Sequence, residues 1–474
     1  MQPHHLLFAL LFGSIQCAPL SSPSSDLLRS LNLSVDELGA TVFSLIYGTP
    51  LMNFYQLAAG TLTSVGPNFI GHRNTTATAS TKNVVRPNVD TIYGTAATDL
   101  SATDLVLVVP PMDADRFYLF ALYDPYGDNF ATIGSVAASK PGKYLLRSSE
   151  SNCDDDCEGY QGCITFPTPI GTILVRIEVK NNGTDVAEVN SYFSKVSLTP
   201  INPRKSSLPA LSLADFDTLS NNTAVSTLEL TARLESRSPP ETADFQAAVP
   251  GILALAGISN GVYTKPASVN LTHASELVNA SAAAFTNAPG NYPSFGNGWS
   301  ILNSSYSGTF ESGTAIIPRA LTATALYLQN QAANALYPTL GATQLSLTDS
   351  EAYVFTFSGK PPVASDGFWS VTMYDDAGYL VPNDVDTYAV GDRSNITFPS
   401  GDLVYGSGAK DGSFQVLVQD ANVPPPSNWT ANWLPAPSGG GDFTVTFRLY
   451  APTTGASDGS YAYPVVTKGD AITA

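Results

Sequence analysis

The sequence predicts an α+β, β-rich fold: two antiparallel β-sandwich-like units linked by a helical middle layer. Three observations carry the expectation. Alternating apolar runs of strand length gather in two separate stretches, about 90–180 and 341–474. Apolar residues at three- and four-residue spacing mark the segments before and between them. Charged residues make up only 13% of the 474-residue chain, while Gly 37 and Pro 34 supply many turns, a balance that favours sheets joined by tight connections.

Residues 1–18 read as a secretory signal peptide. Residues 6–15 form the apolar run LLFALLFGSI, with cleavage expected near Cys17 or Ala18, although only His4 and His5 could add charge ahead of it. The first unit is expected over 26–180. It opens with a helix over 26–60, where Ser34 is the expected N-cap and Glu37 completes a capping box. Strands follow at 105–110, 116–124, 143–147 and 172–179. Residues 181–340 are expected to be mainly helical, through ALSLADFDTLSNN, TLELTARLES, FQAAVPGILALAGI and the Ala-rich 320–337. Strands then dominate 341–474, in EAYVFTFSG, FWSVTMYDD, SFQVLVQD and DFTVTFRLYAP. No later run reaches the ~18 apolar residues of a membrane-spanning helix, so no membrane insertion is expected.

Lys+Arg 22 against Asp+Glu 40 gives a formal net charge of −18, which sets the chain against nucleic acid and anionic membranes as partners. N-x-Ser/Thr sequons at Asn32, Asn74, Asn182, Asn221, Asn270, Asn279, Asn303, Asn395 and Asn428 support a secreted or secretory-lumen glycoprotein. Outside the signal segment the cysteines are Cys153, Cys157 and Cys163, and in an oxidising compartment two of the three should pair. No fourth cysteine or nearby histidine completes a zinc set, and the ligand order of a calcium-binding EF-hand is absent. No metal is expected.

Both strand-rich halves carry recognisable text. Arg86-Pro87-Asn88-Val89-Asp90-Thr91-Ile92-Tyr93, Asp99-Leu100, VVPPM and RFYLFALYDPYGDNFATIGS resemble domain-of-unknown-function family 1254. FWSVTMYDDAGYLVPND, Tyr388, Asp411-Gly412-Ser413, NWLPAP and FRLYAP resemble its usual partner, family 1214. The resemblance covers roughly 40–180 and 320–452 and supplies no mechanism. Secreted, sequon-rich proteins of this sort are also similar to fungal natural-product enzymes, among them the hetero-Diels–Alder enzymes that join tropolone and sesquiterpene units.

The residues themselves permit only a narrow chemistry. The chain beyond residue 18 has two histidines, His72 and His273, and lacks a G-x-S-x-G elbow, HExxH, GxGxxG and GxxxxGK[ST], so neither a serine hydrolase nor a cofactor is expected. His273 follows a sequon and should be exposed; His72, upstream of the PNxDT text, is the better candidate. The candidate catalytic groups are Tyr123, Asp124, Asp90 and His72. Candidate substrate-binding groups are Tyr93, Tyr126, Asn129, Trp369, Tyr374, Arg393 and Trp433, because Tyr-Asp pairs close apolar strands in both halves and the tryptophans can cover an apolar ligand. Plainer readings compete: Asn88 and Asp90 as turn-capping side chains, Trp369 as strand packing, Arg393 and Arg448 as salt bridges within their own half. The expected function is a cofactor-free enzyme that binds small apolar or aromatic precursors and promotes dehydration and cycloaddition. The alternatives are a small-molecule or carbohydrate-binding protein, and an acid hydrolase using paired carboxylates such as Asp90 with Asp124 or Asp128. The oligomeric state is not set by the sequence.

Overall fold

The computed structural model describes residues 20–82, 86–149, 157–311, 313–341, 344–406, 408 and 411–473. The expected signal segment and Cys153 lie outside the described residues.

The helices are α1 (Ser22–Ser30), α2 (Glu37–Ser64), α3 (Val186–Phe193), α4 (Thr223–Leu234), α5 (Ala243–Leu255), α6 (Leu271–Asn287) and α7 (Ile316–Leu326). Where one helix was expected over 26–60 there are two, because Asp36 rather than Ser34 caps α2. The Asp36 carboxylate accepts the Gly39 N–H at 2.9 Å, and the Ser34 hydroxyl donates to that carboxylate at 2.6 Å. The incoming chain lies so close that a Cβ on Gly39 would come within 1.9 Å of the Ser34 carbonyl oxygen. From residue 39 to 48 α2 is buried on every side, as befits a central helix, and α4, α5, α6 and α7 pack around it in one apolar core.

The first sandwich contains β1 (Gly71–His72), β2 (Thr91–Asp99), β3 (Asp104–Val109), β4 (Tyr118–Tyr123), β5 (Asn129–Gly134), β6 (Gly142–Ser148), β7 (Gly162–Phe166), β8 (Ile170–Glu178) and β9 (Ser197–Ile201). One sheet runs β1-β2-β8-β4-β5 and the other β7-β6-β3-β9. Pairing is antiparallel except between β6 and β7. Since β9 completes the second sheet, this unit extends past residue 180. Short ladders follow: β10 (Ile258–Ser259) with β11 (Val262–Tyr263), and β12 (Trp299–Ser300) with β14 (Thr339–Leu340).

The second sandwich contains β13 (Ala335–Leu336), β15 (Leu345–Leu347), β16 (Glu351–Phe357), β17 (Val363–Asp375), β18 (Ala389–Gly391), β19 (Phe414–Asp420), β20 (Trp433–Ala436), β21 (Gly441–Pro452) and β22 (Val465–Asp470). Its sheets run β13-β21-β17-β18, with β15 also on β21, and β20-β19-β16-β22. The β-rich α+β expectation is thus met, two sandwiches with a helical layer between them in the chain. Two expected helical stretches differ. Residues 210–222 contain only a 3-10 turn at Leu213–Phe216, and α7 stops at Leu326 instead of running to 337.

Cys157 and Cys163 form a disulfide, selecting one of the pairings the sequence left open. Among the described residues, no helix is long and apolar enough to cross a membrane. Eight sequon asparagines are exposed, while Asn303 is half-buried and its Nδ2 donates to the Gly290 carbonyl at 3.2 Å. When the chain is secreted from a glycosylating host, enzymatic deglycosylation with peptide mass mapping is expected to convert exposed sites and find Asn303 unmodified. Conversion at Asn303 would contradict this.

Candidate functional site

Strand alternation decides which side chains meet between the sandwiches. On β8, Ile173, Val175 and Ile177 enter the first sandwich core, which leaves Leu174 and Arg176 on the outer face. On β4, Tyr118, Phe120 and Leu122 face inward while Leu119, Ala121 and Tyr123 face out. The second sandwich repeats the arrangement. Trp369, Val371 and Met373 of β17, with Phe447 and Leu449 of β21, fill its core; Phe368, Ser370, Thr372, Tyr374, Arg448 and Tyr450 occupy the other face. These two outer faces pack on each other. Phe117 meets Phe368 at 5.5 Å and Tyr450 at 5.2 Å between ring centroids. Polar strand faces that would ordinarily be wet therefore form a buried seam.

The PNxDT text fastens one side of this seam. The Arg86 carbonyl accepts from Arg448 at 3.1 Å, and the Pro87 carbonyl accepts from the Tyr374 hydroxyl at 2.7 Å. Asn88 donates to the Tyr450 hydroxyl, and its carbonyl oxygen caps the N–H groups of Asp90 and Thr91. The Val89 carbonyl accepts from Arg393 at 3.0 Å. Asp90 accepts from Arg393 Nε and from the Ser370 hydroxyl, each at 2.6 Å. The turn chemistry expected for Asn88 is present, and the same residue also docks one sandwich on the other. Asp90, entered as a catalytic candidate, has both carboxylate oxygens committed to this dock. Arg393 does hold a carboxylate, but one from the opposite half of the chain.

Deeper in the seam lie two cations with an unusual partner set. Arg116, Arg176, Arg237, Arg319 and Arg448 are the fully buried arginines among the described residues. Arg116, Arg237 and Arg319 each hold at least one carboxylate. Arg176 and Arg448, both in the seam, hold none among the described residues. Arg176 donates to Asn330 Oδ1 at 2.7 Å and the Leu328 carbonyl at 3.1 Å, and its Nε has no partner among the described residues. Arg448 donates to the Thr372 hydroxyl at 3.0 Å and the Arg86 carbonyl. A buried guanidinium without a counter-charge is costly, so this pair marks a place suited to negative charge from a ligand.

Phenols surround the two cations. Tyr93 lies opposite Arg176 in the β2–β8 register, with its ring centroid 5.5 Å from the guanidinium carbon; Tyr374 stands at 5.6 Å from that of Arg448. Tyr93, Tyr337 and Tyr450 feel the charge of both arginines. The Tyr123 hydroxyl donates to the Leu328 carbonyl and Asn330 Oδ1, each at 3.0 Å. Burial pushes Tyr123 up to about 12 and Tyr450 well above the ordinary phenol value, so these hydroxyls remain neutral donors at neutral pH. Tyr93 and Tyr337 are half-buried and mark where the seam meets solvent. The early end of α7 belongs here too: the chain beyond it, with Leu328 at φ 60°, turns its carbonyl and Asn330 toward Tyr123 and Arg176.

Carboxyls border the same seam. Burial raises Glu178 to about 7, against the opposing pull of its Phe117 N–H bond and nearby Lys180 and Arg116. Asp392 is pushed well above the usual carboxylate range by burial and by the charge of Glu178.

Other candidates fall elsewhere. His72 is exposed on the edge strand β1, stacked on Phe193 at 4.7 Å. Trp369 lies in the second core and donates to the Tyr405 hydroxyl at 2.6 Å. Trp433 packs with Leu417 and donates to the Gln419 carbonyl at 3.2 Å. Asn129 bridges the Leu122 and Ala131 carbonyls at 3.0 Å each. Asp124 and Tyr126 lie beyond the end of β4, Tyr126 donating to the Ser238 carbonyl at 3.0 Å. Sequence reasoning missed Arg176, Asn330 and Tyr337 and gave Arg448 a salt bridge that it does not make. The available signal was a charged residue within an otherwise apolar strand run, in LVRIE and FRLYA.

This fold and seam define a class: paired β-sandwiches whose facing sheets bury a cationic, phenol-rich layer. The chain belongs to the proteins that combine two families of unknown function, DUF1254 over residues 67–200 and DUF1214 over 334–454, together more than half its length. Among solved structures it is similar to the VPA0106 protein from Vibrio parahaemolyticus, at 16% identity and a TM-score of 0.61, covering 91% of this chain and 99% of that one. An uncharacterised protein from Burkholderia cenocepacia matches at 13% identity and a TM-score of 0.41, covering 94% and 97%. No curated protein matches the sequence.

Proposed function

We propose that the protein is a secreted, cofactor-free enzyme of secondary metabolism, acting in the seam on a small apolar or aromatic precursor that carries an acidic hydroxyl beside a carbonyl. The observation that supports this reading is the buried pair Arg176 and Arg448, which lacks carboxylate partners among the described residues and is surrounded by neutral phenols. The guanidiniums hold the polarised oxygen as charge gathers on it. A seam phenol such as Tyr93 or Tyr337 protonates a departing hydroxyl, which leaves as water, and the substrate's own acidic hydroxyl returns a proton to that phenol. The product is a heterodiene. Its cycloaddition to an alkene forms two σ bonds without further proton or electron transfer, and holding both reactants in one closed layer lowers the barrier by up to about 7–11 kcal/mol.

Deletion of the gene from its host tests the reading. Loss of one adduct with accumulation of two precursors is the expected profile. An unchanged profile, together with saturable binding of an acidic small molecule by the purified protein, would replace the enzyme by a binding protein.

A further inference from the structure

Beyond the seam, the turn after β4 builds a second polar centre. Asp124 Oδ1 accepts the Asp128 N–H at 2.9 Å, and the Asp124 N–H donates to the Asp128 carbonyl at 3.1 Å, closing the turn through Gly127 at φ 88°. Asp128 Oδ1 also accepts the Phe310 N–H at 2.8 Å. Glu241 approaches from the segment ahead of α5. One carboxylate oxygen from each of Asp124, Asp128 and Glu241 lies within 4.8 Å of the others. A cavity of about 10 Å³ opens beside Asp124 and Glu241, lined also by Tyr47, Tyr126 and Arg319 but not by Asp128.

Arg319 is 2% exposed, and its Nε and Nη2 have no hydrogen-bond partner among the described residues; its Nη1 lies 3.4 Å from Asp128 Oδ2. Glu241 Oε1 is likewise buried and has no partner among the described residues. Fully ionised, three carboxylates and one guanidinium would leave two negative charges uncompensated, and burial pushes all three carboxyls up, so two demands coincide. The carboxylates need two positive charges, and the free N–H groups of Arg319 need an acceptor oxygen.

We propose that Asp124, Asp128 and Glu241 form a site for one hard divalent cation of the calcium class, with a water on the ion accepting from Arg319. The ion cancels the residual charge, and its water satisfies the guanidinium. The oxygen spacing suits metal–oxygen distances of about 2.3–2.6 Å. Such an ion ties the end of β4 to the approach of α5 and, through Arg319, to α7. It joins helical layer and first sandwich and takes no part in the chemistry proposed for the seam.

Full-length protein freed of metal with a chelator tests this site by calcium titration. One calcium ion per chain is expected by native mass spectrometry, with a melting temperature that climbs with calcium concentration. Asp124→Asn and Glu241→Gln should each abolish both responses. Should Asp124→Asn fail to fold, Glu241→Gln, at a half-buried position, keeps the comparison. Absence of bound calcium in the wild type, or an undiminished response in Glu241→Gln, overturns the proposal. Neither result bears on Arg176 or Arg448, so it stands or falls separately from the seam.

Discussion

Replacing Arg448 or Arg176 with methionine is expected to abolish capture of an acidic ligand while leaving the melting temperature unchanged or higher. Isothermal calorimetry with tropolone, whose acidic hydroxyl adjoins a carbonyl, reads the first effect. Loss of an electrostatic donor of this kind costs about 10²–10³-fold in turnover. Stability moves the other way because each guanidinium is buried without a carboxylate among the described residues, and an apolar side chain of similar length removes that burden. Arg116→Met provides the contrast. Arg116 holds Asp113, Asp185 and Glu188, so its removal strands buried charge and is expected to cost about 3–5 kcal/mol. Undiminished tropolone binding in both seam variants, with a large fall in melting temperature, would make Arg176 and Arg448 purely structural.

Acidification is expected to stabilise the protein over the range in which most proteins are insensitive. Glu178 is one source of this effect. Its carboxyl titrates at about 7 in the folded chain, against an ordinary value of 4.5, so between those values the folded state holds a proton that the unfolded state has released. The contribution is therefore full below about 4.5 and lost as pH rises through about 7. At roughly 1.4 kcal/mol per pH unit it amounts to something on the order of 3 kcal/mol. Asp392, raised for the same reason and facing Glu178, Asp90 and Arg393, acts in the same direction. Thermal melts of chelator-treated protein at about pH 5 and pH 8 measure the difference, and Glu178→Gln should reduce it. A melting temperature that rises from pH 5 to pH 8 would refute the assignment.

The strands were legible because each sandwich core demands an apolar residue at every second position. LVLVVP, TILVRIEV and DFTVTFRLYAP therefore announced themselves. The seam was legible only in part. Tyr93, Tyr123, Tyr374, Asp90 and Arg393 were chosen from motifs and do meet there, but Arg176 and Arg448 come together only when two sheets more than 150 residues apart in sequence stack face to face, a relation no local pattern encodes. The end of α7 was misjudged for a related reason. ALTATALYLQNQAANALY has good helix formers at most positions, yet Leu328 and Asn330 bond to Tyr123 and Arg176, and tertiary contacts override propensity. The Asp36 cap was missed because Ser34 and Glu37 form a local pattern that the crowding at Gly39 displaces.

Selectivity and foldability are separable in this architecture. Tyr93, Leu119, Ala121, Leu174, Arg176, Ser370, Thr372, Arg448 and Tyr450 touch the seam, whereas Ile92, Phe120, Val175, Val371 and Leu449 belong to the cores. Alternate codons that face the seam along β4, β8, β17 and β21 can be varied without changing a sandwich-core side chain, provided that the docking contacts of Ser370, Tyr374 and Tyr450 are kept. Two descendants of one such ancestor could share a backbone and retain very little sequence in common. They could also accept quite different molecules, since the alphabet that specifies the guest is written on the alternate letters from the one that specifies the fold.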